Sequence, residues 1–149
     1  MLNETAVLGW SALIIIIAIF VQVLLAVPQM GLGYLLSARE AQTPLTGMAA
    51  RIDRGVKNAA IGYALFAPAA LLVVANGAST SSTLLAANLY LWARIVYFVV
   101  YAAAVPGVRT LAWLVGVLAT VWLWGLAILF LLRQYTVLTN WQADLVPRF

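Results

Sequence analysis

The sequence predicts an all-α integral membrane protein, a bundle of four transmembrane helices running up and down. Three observations carry that prediction. Hydrophobic residues make up 66% of the 149-residue chain and charged residues only 8%, far from the balance of a water-soluble domain. The apolar residues fall into four long runs, and a span needs ~20 of them. The connections between runs are short, so consecutive spans should be antiparallel neighbours. The chain reads as one membrane domain with no internal repeat and no low-complexity segment.

The first run covers residues 6–36. It is too long for a signal-peptide core, and Asn3 and Glu4 stand where such a peptide needs a basic start, so it reads as a retained span. Pro28 should kink it, while Gln22 and Gln29 should face other helices, because an unpaired amide is costly in lipid. The polar stretch SAREAQTPLTG follows, with Pro44 and Gly47 as breakers. The second span runs over about residues 55–76 and contains Pro68; the tight polar turn NGASTSS ends it. The third, about 84–105, is interrupted by one charge, Arg94, and closed by Pro106 and Gly107. The fourth, about 109–132, lies between Arg109 and Arg133. The tail, 134–149, is polar and mixed, and is expected to lie at the interface or without fixed structure.

Charge sets an orientation and removes several functions. Arg39, Arg51, Arg54, Lys57 and Arg109 fall on one side of the bundle, and Arg133 and Arg148 on the other. The positive-inside rule then places the first loop in the cytoplasm and both termini outside. The cations are scattered, so there is no electrostatic footprint for nucleic acid. With neither Cys nor His in the chain, a thiolate metal site, a cysteine nucleophile and the commonest general base are all missing. No metal site is expected. A transporter is disfavoured too, since paired broken helices and an acidic relay are lacking.

Two polar stripes remain. In RIDRGVKNAAIGY, residues 51–63, a helix of ~3.6 residues per turn sets Asn58 about 40° and Arg51 about 60° from Arg54. These three form one face, and Asp53 and Lys57 are spaced to pair with each other. In the third span, Tyr90, Tyr97 and Tyr101 project within about 60° of Arg94, while Trp92 points away. An arginine ten residues from either end of its span is a functional candidate; the alternative is a structural clamp inside the bundle. The stripes and Arg109 are placed to line one pocket, with guanidinium forks for carboxylates and phenols for hydrogen bonds. Such a pocket suits a small anionic ligand.

The segments RIDRGVKNAAIGYALF, YLWARIVYFVVY and VPGVRTLAW, on successive spans, resemble the MAPEG family (membrane-associated proteins in eicosanoid and glutathione metabolism), and are most similar to its bacterial members. The resemblance implies a four-helix subunit, a homotrimer, and glutathione sites between subunits. It implies that Arg54 and Asn58, accompanied by Arg51, bind the ligand together with Tyr97 and Tyr101. Arg94 matches the arginine typical of the third helix, and Arg109 the arginine that stabilises the thiolate. The sequence departs at Ile61, where members that use glutathione usually carry a glutamate facing the tripeptide's ammonium, and at Gly62, where an aromatic can stand. Two functions follow. One is a glutathione-dependent transferase or peroxidase acting on lipophilic substrates, with Arg109 as the catalytic residue. The other is a non-catalytic protein of the same fold that binds a lipid or serves as an accessory subunit of a larger membrane complex.

Overall fold

In a hydrocarbon layer every backbone N–H and C=O must find its partner within the chain, so apolar runs of this length become helices. The computed structural model describes residues 1–37 and 44–145, the side chains of 140–145 excepted. Among these residues it is all-helical: α1 Glu4–Met30, α2 Leu32–Leu36, α3 Gly47–Ala75, α4 Ser81–Ala102 and α5 Val108–Leu145. Four segments are long and apolar enough to cross a membrane: α1, α3, α4 and the Val108–Thr139 part of α5. The protein is an integral membrane bundle. Arg39 and Arg148, which entered the sequence reading above, lie outside the described residues.

Three boundaries differ from those expected. The run 6–36 is not one helix, because the chain turns at Gly31, whose φ of 76° ends α1 before the short α2. An apolar glycine hides such a break from any hydropathy reading. The second helix starts at Gly47 rather than near 55, since its charged first turns are amphipathic instead of apolar. Polarity at the end of the fourth span stops the span and not the helix: α5 continues through the expected tail to Leu145. Residues 134–145 contain neither Gly nor Pro, so nothing in them breaks a helix. At ~1.5 Å per residue, the 38 residues of α5 reach roughly 57 Å, well beyond a ~30 Å hydrocarbon core.

The starts of α1 and α4 are tied together. Asn3 caps α1, its side-chain oxygen accepting from the Ala6 N–H at 2.7 Å. The Asn88 amide accepts from the Leu2 N–H at 3.1 Å and donates to the Leu2 carbonyl at 2.7 Å. Beneath this clamp the Glu4 carboxylate is only 2% exposed and accepts a 2.6 Å hydrogen bond from the Thr83 hydroxyl. Thr83 also forms the capping box of α4 with Thr80. Thr83→Ala is therefore expected to cost about 2 kcal/mol, because it strips a buried carboxyl of its donor and opens the cap. Unfolding in mixed micelles followed by far-ultraviolet circular dichroism checks this, with Ser81→Ala, an exposed neighbour, as the control.

Deeper in the bundle, α4 packs on α5 and α1 on α3 as the two main helix pairs. The Phe66 and Tyr90 rings stack at 3.8 Å and within 2° of parallel, and Val7, Val73 and Leu123 close around them. Pro68 offers no N–H to the turn before it. The Trp124 indole of α5 donates to the Leu65 carbonyl in that turn, at 2.9 Å. Gln22 faces another helix, as expected, donating to Asp53 of α3 at 2.7 Å, whereas Gln29 is exposed and accepts from the N–H of Thr46, the residue before α3, at 2.9 Å. Half of α4's apolar window is buried against 11% of α1's, so α4 is the central helix. It carries Arg94.

Candidate functional site

Tyr90, Arg94, Tyr97 and Tyr101 recur at helical spacing on α4, and all four are buried. Arg94 is 4% exposed. It fits because α3 presents a glycine to it: a methyl group on Gly62 would overlap the guanidinium, whereas one on Gly116 of α5 would meet it at an ordinary contact distance of 3.5–3.6 Å. The guanidinium lies 5.0 Å from the Tyr90 ring centre and 6.0 Å from that of Tyr97, so two π-faces replace part of the hydration it has lost. Its Nη1 donates to the Asn58 side-chain oxygen at 3.3 Å, and its Nε has no partner. No carboxylate compensates it: the one ion pair among the described residues joins Lys57 and Asp53 at 2.8 Å, the pair expected from their spacing.

In front of Arg94 lies a cavity of about 230 Å³, lined by Asn58 from α3, Tyr97 and Tyr101 from α4, and Arg109, Thr110 and Trp113 from α5. Arg109 sits 4.8 Å over the Tyr101 ring, whose centre is 5.2 Å from that of Tyr97. Gly55 of α3 faces these rings, and a methyl group there would meet Phe98 at 3.7 Å and Tyr101 at 3.9 Å, ordinary contact distances. The cavity thus gathers one guanidinium, two phenols, an amide and a hydroxyl. Such a set can hold the oxygens or the sulfur of an anion.

Four of the seven residues singled out from sequence meet here: Asn58, Tyr97, Tyr101 and Arg109. Arg94 stands behind them and touches the cavity through Asn58. The other two do not join. Arg51 donates through Nε to the Ala102 carbonyl at 3.3 Å, at the end of α4, where a cation suits the helix dipole. Arg54 is exposed and lines a second cavity of about 670 Å³ between α1 and α3, with Gln22, Asp53 and Lys57. Ile61 is also turned outward, 64% exposed. The shared face of Arg51, Arg54 and Asn58 is real, but α4 packs on one edge of it only.

Sequence reasoning missed Thr110 and Trp113, although Trp113 lies one turn beyond Arg109 and that spacing was available. It also missed the glycine notch, since nothing local in sequence says what a glycine faces. The family model of the MAPEG family matches residues 7–129. No curated protein matches the chain.

Proposed function

The chain belongs to the MAPEG family, and from that premise we propose that it binds a small anionic thiol of the glutathione type and transfers it to lipophilic substrates, or uses it to reduce their peroxides. The observation that carries this reading is the convergence of Asn58, Tyr97, Tyr101 and Arg109 on one cavity. The donor set fits the carboxylates and the sulfur of glutathione; its ammonium finds no carboxylate in the lining. The bound thiol supplies the nucleophile, which agrees with a chain that has no cysteine. Arg109 stabilises the thiolate, because a nearby positive charge favours the charged form of a thiol. The Asn58 amide and the two phenols hold the carboxylates. Trp113, 39% exposed, offers an apolar rim to a substrate arriving from the bilayer.

A homotrimer with sites between neighbouring subunits belongs to the same proposal. The cavity of about 230 Å³ lies below the ~300–1,000 Å³ usual for a ligand site, so a neighbour has part of the tripeptide left to cover. The proposed orientation has the first loop in the cytoplasm of a bacterium and the termini outside. Purified protein, glutathione and a lipophilic chloronitroarene test the activity. Turnover that saturates in thiol is expected; no turnover above a lipid–detergent blank, with no thiol binding, would sink the reading.

One observation favours the non-catalytic alternative. The second cavity is lined by the apolar Val23, Ala26, Met30, Leu35 and Leu45 together with Gln22, Arg54 and the paired Asp53 and Lys57, which leaves Arg54 as the unmatched cation of its lining. That is the pattern of a lipid with an anionic head, and a lipid copurifying with an inactive protein would support a binding or accessory role.

A further inference from the structure

We infer that the cavity on α3, α4 and α5 selects an anion that carries no ammonium group, and that Arg94 sets this selectivity by making Asn58 a donor. The inference rests on the thiol-binding reading and names which thiols the site takes.

The argument begins with what a guanidinium lacks. It has five N–H donors and no lone pair. The Asn58 atom 3.3 Å from Arg94 Nη1 must therefore be the carbonyl oxygen, which fixes the amide's orientation. The amide NH₂ is left for a ligand. Arg109 in the lining is likewise donor-only, as is the Trp113 indole. The side-chain acceptors that remain are all neutral: the hydroxyls of Tyr97, Tyr101 and Thr110, and the second lone pair of the Asn58 oxygen turned toward Arg94.

The two carboxylates whose side chains are described are committed elsewhere. Glu4 is bound by Thr83 at the start of α4, and Asp53 is held by Gln22 at 2.7 Å and by Lys57 at 2.8 Å in the other cavity. An ammonium entering the site would thus find Arg109 in the lining, Arg94 behind it and no counter-charge. Burying a charge unpaired is expensive, and two like charges add to the cost. An anionic thiol without an amine meets only favourable partners.

Titration calorimetry of the detergent-purified full chain with glutathione and with glutaryl-cysteinyl-glycine, the same tripeptide with its ammonium replaced by hydrogen, tests this directly. The desamino compound is expected to bind at least tenfold more tightly. Asn58→Asp should reverse the preference by tenfold or more: one carboxylate oxygen stays with Arg94 and the other accepts from the ammonium. This variant gives Arg94 a counter-charge without changing shape, so it is expected to fold, and a purely structural role for Asn58 would not move the ratio. Equal binding, or tighter binding of glutathione by the wild type, overturns the inference and leaves the thiol reading standing; a carboxylate supplied by a neighbouring copy would give that result. Binding of neither tripeptide by wild type or variant overturns both.

Discussion

Arg109→Gln is expected to lower the rate of thiol conjugation about a hundredfold at neutral pH while leaving the helical bundle intact, the usual scale for removing one preorganised group that stabilises a developing or bound anion. Arg109 is half-buried, and its contact with the chain is the face of Tyr101 at 4.8 Å. Its loss should therefore cost little stability. The sign of the pH effect follows from the charge. A guanidinium beside a thiol favours the thiolate and lowers the pH at which it forms. With glutamine in its place, the thiol ionises at higher pH, so the pH–rate profile should move to the alkaline side and part of the rate should return there. A loss equal at every pH would show that Arg109 positions the ligand and does not tune its ionisation.

Phe66→Ala is expected to have the largest effect on stability, about 3–5 kcal/mol, the range for emptying a fully buried aromatic site. Phe66 is completely buried, and its ring lies flat on Tyr90 at 3.8 Å. Tyr90 is in turn one of the two rings under Arg94. Unfolding in mixed micelles reads the loss of stability, and ligand affinity measured under folded conditions reads the effect on the site. Phe66→Leu, which keeps most of the volume, should cost roughly 1 kcal/mol. A loss below that for Phe66→Ala would mean that the stack does not support the bundle.

Much of the fold was legible because lipid leaves a chain few options: an apolar run of sufficient length becomes a helix, and a short connection reverses it. The α4 stripe was legible for a related reason. A charge in mid-span is costly, so Arg94 and the tyrosines that share its side had to face inward. The helix ends were harder to read. Gly31 breaks an apolar run without any polar signal, and residues 134–145 stay helical without an apolar one. The split among Arg51, Arg54 and Asn58 was not legible at all. It depends on how α3 is rotated against α4, with Gly55, Ala59 and Phe66 among the residues of α3 turned inward, and no local pattern of charges gives that rotation. Arg51 finds its partner 51 positions away, at the Ala102 carbonyl, a distance no local pattern reveals.

The notch around Arg94 also constrains the order in which this sequence can change. Gly62 leaves room for a guanidinium and for little else, so any larger residue there displaces Arg94 from Asn58 while Arg94 remains. The arginine can be replaced first by a shorter side chain, after which the glycine is free to grow. Taken in the opposite order, the intermediate must push a buried cation out of its place. In this chain, therefore, a larger residue at position 62 calls for a matching change at Arg94, and the Asn58 amide is free to turn over only once its oxygen no longer has that guanidinium to accept from.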